Sequence, residues 1–354
     1  MTEDKLYDYL VFIGRFQPFH NGHKRVVEEA LQQADKVIIL IGSSDQGRSF
    51  RNPWLFSERK SMINLTFHNE TDRLIIKPIH DKPYNDQAWI TGVNEAVHNA
   101  ALVSYPGNSE MCTLHGLHDM KIGLIGHSKD ETSYYLNLFP NWGNINVDQH
   151  VIYNATDIRD AYFAKAPVIT RDIIPEEVGN FMASFLEAVA YRDLYNEHVY
   201  IKNYKQAWES TPYPVTFVTT DAIVVQSGHI LLIRRKAQPG KGLWALPGGF
   251  LNQQETVENG MIRELREETM LKVPDPVLRG NIKKQKVFDD PNRSARGRVI
   301  TNAFLIELPA GPLPKVKGAD DADKAEWKLI AELPDMQLFE DHYAIIENML
   351  GETL

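Results

Sequence analysis

From Leu10 onward, short continuous apolar runs alternate with longer stretches of helical period. Leu10–Ile13, Lys36–Ile41, Leu74–Ile76, Lys121–Ile125 and His150–Tyr153 read as buried strands. Gly22–Gln33, Ser57–Phe67, Gln87–Ala100 and Glu131–Leu138 read as helices between them. Strands separated by single helices imply βαβ units, hence a parallel sheet covered on both faces, with ligands outside the carboxyl ends of the strands. Pro175–Tyr195 predicts one amphipathic helix, with its proline at the first turn and Glu176 and Glu177 behind it. A polar, aromatic-rich stretch to Ser210 follows, and the prolines of Thr211-Pro212-Tyr213-Pro214 hold the chain extended there. Beyond it come strands at Val215–Val225 and Ile230–Arg235 around a Ser227-Gly228 turn, then a helix at Val257–Leu271. Strands at Ile282–Phe288 and Val299–Glu307 and a helix at Phe339–Met349 complete the pattern. The expected architecture is α/β throughout: a parallel-sheet domain over 1–195, a linker over 196–210 and a mixed α/β domain with hairpins over 211–354.

The length of 354 residues agrees with two domains. With 38 Lys+Arg against 47 Asp+Glu the net charge is -9, which argues against a protein that grips a nucleic-acid backbone. Hydrophobic residues at 43% and charged residues at 24% exclude disordered and fibrous classes. The single cysteine, Cys112, excludes a disulfide framework. No apolar run is long enough to span a bilayer, and Met1–Lys5 lacks the layout of a signal peptide. A cytoplasmic protein with neither nucleic-acid nor membrane partners is expected; a homo-oligomer is left open.

The first strand runs into Gly14-Arg15-Phe16-Gln17-Pro18-Phe19-His20-Asn21-Gly22-His23, where a helix begins. Gly14 lets the chain leave the strand sharply. His20 and His23, three apart, can face the same side of the first helical turn, where free N–H groups and the macrodipole favour an anion; Gly22 leaves room for a phosphate. Such a cradle suits phosphoryl or nucleotidyl transfer, in which positioning does most of the catalysis. The string resembles the first signature of the His-x-Gly-His nucleotidyltransferases, which implies a Rossmann-like nucleotidyltransferase domain. His20 and His23 would then contact ATP phosphates during in-line attack, with Gly14, Arg15 and Phe16 in the nucleotide-binding loop. Asn154-Ala155-Thr156-Asp157-Ile158-Arg159 resembles the superfamily's second signature. Thr156 and Arg159 would reach the triphosphate, and Asn154 stands where serine is usual. Lys129, after the fourth strand, is a further phosphate candidate. Asn52–Arg59 and Tyr84–Trp89 resemble segments of archaeal-type nicotinamide mononucleotide (NMN) adenylyltransferases. Asn85 would hydrogen-bond a carboxamide, and Trp89 offers its face to a pyridinium. The alternative for Trp89 is packing in the core.

The second constellation runs from Gly249 through Glu255 to Arg263-Glu264-Leu265-Arg266-Glu267-Glu268-Thr269-Met270-Leu271. Glu264, Glu267 and Glu268 share one helix face, where like charges repel. Divalent cations would compensate them, and all-oxygen ligands indicate Mg²⁺ or Mn²⁺. The string resembles the Nudix box, with Met270 in place of the usual glycine, so an altered helix exit is expected. The resemblance implies a Nudix fold. Glu264, Glu267 and Glu268 would be metal ligands and catalytic together with Arg263, while Gly249 and Glu255 contribute to substrate binding. The general base is left open among Glu255, Glu268 and a loop acid. Gly242–Phe250 and Arg293–Ile300 resemble ADP-ribose pyrophosphatases; the arginines of the second segment either grip phosphates or belong to a mobile basic loop. Cys112-x-x-His115-x-x-His118 reads as a loop without metal.

Together the resemblances imply a bifunctional NMN adenylyltransferase/Nudix hydrolase. It would make NAD and pyrophosphate from NMN and ATP, cleave ADP-ribose to AMP and ribose 5-phosphate, and use Mg²⁺ or Mn²⁺ at both sites, with ATP as co-substrate. The alternatives for the second domain are another dinucleotide, such as NADH or a diadenosine polyphosphate, or an ADP-ribose sensor that does not cut.

Overall fold

The computed structural model describes residues 5–104, 120–126, 138–148, 154–165 and 171–351. The strand at 150–153, most of the helix at 131–138, Lys129 and the Cys112–His118 cluster lie outside them. The chain divides into two compact units, one of residues 1–44 and 51–192, the other of 45–50 and 193–354.

In the first unit β1 (Tyr7–Gly14), β2 (Ala34–Ile41), β3 (Leu74–Pro78), β4 (Ile122–Gly126) and β5 (Gly143–Asn146) form a parallel sheet in the order β3-β2-β1-β4-β5. Val37–Ile41 are all buried, as a central strand covered on both faces requires. Helix α1 (Asn21–Gln33) buries Val26, Val27, Ala30 and Leu31, a stripe at helical spacing. Helices α2 (Phe56–Thr66) and α3 (Asp86–Ser104) follow, and Val93, Val97 and Ala101 of α3 pack on Tyr9, Val11, Ile38 and Leu40. Strand β5 has no apolar run: Gly-Asn-Ile-Asn at a sheet edge leaves no hydrophobic signature to read. Helices α4 (Ala155–Phe163) and α5 (Glu176–Phe185) complete this part of the chain.

The single helix expected over Pro175–Tyr195 is two, α5 and α6 (Val189–Trp208). Residues 196–208, expected in a linker, are therefore helical, and from Asp193 on they belong to the second unit. Their polar surface is that of a helix with one occupied face.

The second unit carries a mixed sheet, β10-β11-β6-β7-β12, of β6 (Thr216–Gln226), β7 (His229–Arg235), β10 (Ile282–Phe288), β11 (Arg298–Glu307) and β12 (Ala322–Leu329). Strand β11 runs parallel to β6 and the other neighbours are antiparallel. Short strands β8 (Trp244–Ala245) and β9 (Gly248–Phe250) pair with β7 and β6. Helix α7 (Val257–Thr269) buries Met261, Ile262 and Leu265 against Ala222, Val224 and Phe304. A short α8 (Asp275–Gly280) and the closing α9 (His342–Leu350) flank the sheet. Among the described residues no helix is long and apolar enough to cross a membrane.

Candidate active sites

In the first unit, the β1–α1 junction is built from two imidazoles and an aromatic cage. His20 caps α1, its Nδ1 accepting from Gly22 N at 3.1 Å, while His23 Nδ1 accepts from His20 N at 3.3 Å. The rings stack with centroids 3.6 Å apart. A neutral imidazole whose Nδ1 accepts carries its proton on Nε2, so this geometry selects the tautomer in which each ring offers an Nε2–H donor. The amide of Gly22, a residue expected to leave room for a phosphate, is taken by His20. Phe16, Phe19 and Phe12 pack around His23, Phe16 edge-on at 4.9 Å. The left-handed residue of the turn is Phe16, with φ of 53°, not Gly14. Gly14 is required for space: a Cβ there would lie 2.8 Å from Cζ of the Phe16 ring.

A cavity of about 480 Å³ opens beside this junction, lined by Arg15, Phe16, Gln17, His23, Thr156 and Arg159 among others. The two nucleotidyltransferase signatures are thus brought together. Asn154 caps α4, its Oδ1 accepting from Thr156 N and Asp157 N at 2.9 and 3.0 Å, so it supplies the backbone-capping contact at its position. Arg159 is buried: Nη1 donates to Gln17 O and Ala155 O, and Nη2 to Thr156 Oγ1. Burial and nearby Arg15 lower its pKa to about 10. Much of its hydrogen-bonding capacity is therefore used to brace the cavity wall. A second buried arginine, to which the sequence assigns no separate role, closes the Asn52–Arg59 segment. Arg59 of α2 donates to the carbonyls of Arg15, Gly42 and Ser43 at 2.7–3.1 Å and ties the ends of β1 and β2 together.

Asn85 and Trp89 stand a helical turn apart at the start of α3. Asn85 Oδ1 accepts from Ala88 N at 3.0 Å, which makes it a helix cap as well as an exposed amide. Trp89 is half-buried, edge-on to Phe139 at 6.2 Å. It belongs to the core margin and keeps part of its surface in solvent.

In the second unit, the turn from β9 into α7 places Glu255, Glu264 and Glu267 around Arg263. The guanidinium binds both oxygens of Glu255 at 2.6 and 3.1 Å, and its Nη1 reaches Glu264 at 2.7 Å and Glu267 at 2.9 Å. Hydrogen bonds from Arg263 and from Asn252 N hold Glu255 down to a pKa of about 2. A Cβ at Gly249 would meet the Glu264 carboxylate at 2.6 Å, so any larger residue there would push that group aside. Burial raises Glu264 despite Arg263. Glu268 is buried deeper, accepts from Gly248 N at 2.9 Å and is pushed up to about 8, by burial first and then by Glu264. Among the described residues no three acidic, histidine or cysteine side chains converge to hold a metal ion. Arg263 spans Glu264 and Glu267, while Glu268 faces Gly248, so joint coordination requires Arg263 to let go. The donor set fits a hard dication: all oxygen, with two carboxylates whose charge burial opposes.

Arg293, expected to grip phosphate, is instead committed to a buried bidentate pair with Asp341, both contacts at 2.9 Å. A planar fork on a buried carboxylate is a structural clamp. Arg298 binds Asp289 O, and Arg296 lies over the Phe250 ring at 5.2 Å. Arg235 lies over Phe339 at 4.1 Å, and the Arg296 charge adds to burial in lowering its pKa. His342, on α9, accepts from Leu246 N through Nδ1 at 2.9 Å and steadies the segment leading to Gly249. Burial, then Arg293, Arg235 and Arg296, hold its pKa well below the usual imidazole value. The unfolded state binds the proton near pH 6.5 and the folded state does not, so stability is complete above 6.5 and is lost as pH falls below it. Denaturant titrations at pH 7.5 and 5.5 should show a His342→Gln protein losing about 1 kcal/mol less than wild type over that range.

Met270 closes α7 in the left-handed conformation, φ 52°, with its N–H on Arg266 O. The exit is thus the one a glycine would make, not the altered one expected. Its side chain is 47% exposed. Met270→Gly should raise stability by about 0.5–1 kcal/mol, the left-handed strain relieved less the chain entropy of glycine; a lower unfolding midpoint would contradict this.

The cytidylyltransferase-like family matches residues 11–97 and the NUDIX domain family residues 216–349. A crystal structure of a bifunctional NMN adenylyltransferase/ADP-ribose pyrophosphatase from Francisella tularensis superposes with a TM-score of 0.87 at 38% identity, covering 98% of this chain and 99% of that one. The chain belongs to this bifunctional family. A second structure of the Francisella tularensis enzyme, TM-score 0.86 at 37% identity and the same coverage, is in complex with AMP and a manganese ion. Each half also has a curated relative. The nicotinamide/nicotinic acid mononucleotide adenylyltransferase of Acinetobacter baylyi is 38% identical over 194 residues, which are 54% of this chain and 94% of that protein. The ADP-ribose pyrophosphatase of Methanocaldococcus jannaschii is 39% identical over 133 residues, 38% of this chain and 72% of that protein.

Proposed function

We propose that this bifunctional enzyme forms NAD from NMN and ATP in its first unit and hydrolyses ADP-ribose in its second. The observation that carries the reading is the presence of both built sites, the stacked His20/His23 pair and the Arg263-centred carboxylates, in a chain similar end to end to a protein named for both activities.

In the first unit the NMN phosphate oxygen attacks the α-phosphorus of ATP, the α–β bridging bond breaks and pyrophosphate leaves. The His20 and His23 Nε2–H donors, with Arg15 and Thr156 in the same cavity, take up charge on the triphosphate. Arg159 and Arg59 hold that wall. Lys129 is proposed as a further phosphate contact. Asn85 and the exposed part of Trp89 are proposed to receive the nicotinamide. In the second unit water attacks one phosphorus of the diphosphate, releasing AMP and ribose 5-phosphate. Glu264, Glu267 and Glu268 would hold Mg²⁺ or Mn²⁺, which when bound neutralises the diphosphate and acidifies water. Arg263 is the group displaced as they take up that duty. A divalent ion carried with ATP is proposed for the first unit too. The general base is proposed among Glu255, Glu268 and a loop acid.

The test is one preparation with Mg²⁺, given NMN plus ATP in one vessel and ADP-ribose in another. NAD with pyrophosphate, and AMP with ribose 5-phosphate, are expected. NAD without ADP-ribose cleavage would move the second unit to another dinucleotide. Cleavage without NAD would remove Asn85 and Trp89 from their assigned roles.

A further inference from the structure

Two buried polar side chains hold main chain that lies far from them in sequence. In the second unit Glu197 of α6 accepts from Gly240 N at 2.9 Å and from Phe50 N at 2.5 Å. In the first unit Gln17 is 2% exposed, and its amide meets the backbone of Trp54 twice. Nε2 donates to Trp54 O at 2.9 Å, and Oε1 accepts from Trp54 N at 3.1 Å. A primary amide that gives and takes side by side reproduces one rung of a β-ladder, so Gln17 is joined to a residue 37 positions away as a strand would be.

The main chain of Gln17 carries this grip onward. Its carbonyl accepts from Arg159 Nη1 at 2.7 Å; Pro18 after it has no N–H, so that peptide group can be anchored by its oxygen alone. Both hydrogens of Nη1 are spent, on Gln17 O and Ala155 O, while Nη2 donates to Thr156 Oγ1 at 3.0 Å. With its oxygen accepting from Arg159, the Thr156 hydroxyl keeps its hydrogen to donate, and Thr156 is exposed on the cavity wall. The circuit closes through the Trp54 ring, which packs on Tyr162 at 5.9 Å, one turn beyond Arg159 on α4. Arg59, one turn into α2, donates to Arg15 O at 2.7 Å. The stretch Arg15–Gln17 is therefore gripped at both ends by the segment from Trp54 to Arg59.

We infer that Gln17 is a positioning residue for nucleotidyl transfer: its side chain fixes the carbonyl that aims Arg159, and Arg159 orients the Thr156 hydroxyl. The Gln17 amide is spent on Trp54, so it acts through these two groups. The inference rests on the first unit being the adenylyltransferase. A methionine at this position would fill the space and leave Trp54 N and O buried without partners, the costlier way to lose a hydrogen bond.

A double-mutant cycle with Arg159→Lys, which keeps the charge without the planar fork, separates aiming from bulk structure. Gln17→Met should lower kcat/KM for ATP in NAD formation roughly tenfold in the parent protein, and less than about twofold in the Arg159→Lys protein. A loss of the same factor in both backgrounds, or none in the parent, overturns the assignment. Unfolding midpoints identify the folded variants. Where Gln17→Met or Arg159→Lys does not fold, Gln17→Glu, which keeps the acceptor for Trp54 N, and Thr156→Val, on the exposed first turn of α4, take their places with the same two outcomes. A parent protein that binds ATP but forms no NAD from NMN overturns the substrate reading instead. The cycle is then run on the ATP dissociation constant, where non-additivity keeps Gln17 in its role and additivity removes it.

Discussion

A His23→Ala protein is expected to lose NAD formation by roughly 10²–10³-fold, the size of effect seen when one preorganised donor to a developing charge is removed. Its ADP-ribose hydrolysis should stay at the wild-type rate. The loss arises twice over: the Nε2–H donor goes, and His20 N loses the acceptor that completes the reciprocal cap of α1. His23→Asn keeps a polar group at the start of the helix and separates these contributions. If it holds stability but not activity, the donor matters; recovery of both would assign His23 to capping. Each rate is to be followed by product formation on the same preparation. Equal loss of the two activities would refute separate sites.

The second large effect is expected from Glu268→Gln. The amide is isosteric and its carbonyl can still accept from Gly248 N, so the fold should be kept, and removal of a buried carboxylate costs nothing in solvation. Changes that merely reorient a metal ligand cost roughly 10–100-fold, so loss of a proposed ligand itself should lower ADP-ribose hydrolysis by about 100-fold or more. Mn²⁺ affinity, measured by titration with the metal alone, should weaken in parallel, while NAD formation is unaffected. Glu267→Gln is the companion: a protein that only senses ADP-ribose would be indifferent to both. Undiminished hydrolysis in Glu268→Gln would sink the assignment of the buried carboxylate and leave the two carboxylates on Arg263.

Most of the architecture could be read from the chain because central strands such as Val37–Ile41 are uninterrupted apolar runs and α1 and α7 bury clean stripes. What escaped was whatever has no periodic signal. Strand β5 is polar at an edge, β12 alternates lysine and glutamate on its open side, and residues 196–208 look like a linker until Glu197 and Tyr204 are seen to have partners. The motifs placed the candidate groups relative to one another, since spacing along a helix is fixed. They did not place the long-range partners. That Arg293 belongs to Asp341, 48 positions away, or that Arg59 braces the Arg15 carbonyl, depends on how strands and loops meet. Arginine in a loop looks the same in sequence whether it clamps a buried acid or awaits a phosphate. Gly14 is called for not by its own backbone angle, as its place after the strand suggests, but by the space taken by the Phe16 ring.

The carboxylate of Glu197 has a consequence for how such a protein can be inherited. Its two donors lie at Phe50 and Gly240, far apart along the chain on either side of it, within a unit assembled from residues 45–50 and 193–354. A gene cut ahead of the NUDIX-matched residues would discard that acid and the six residues from the far end of the chain. It would leave the Gly240 amide without its acceptor, and the loop that backs onto Phe339 without that anchor. A hydrolase half passed on by one crossover at the apparent border would therefore lose these contacts, and recombination that preserves them has to carry the segment around Phe50 along with it.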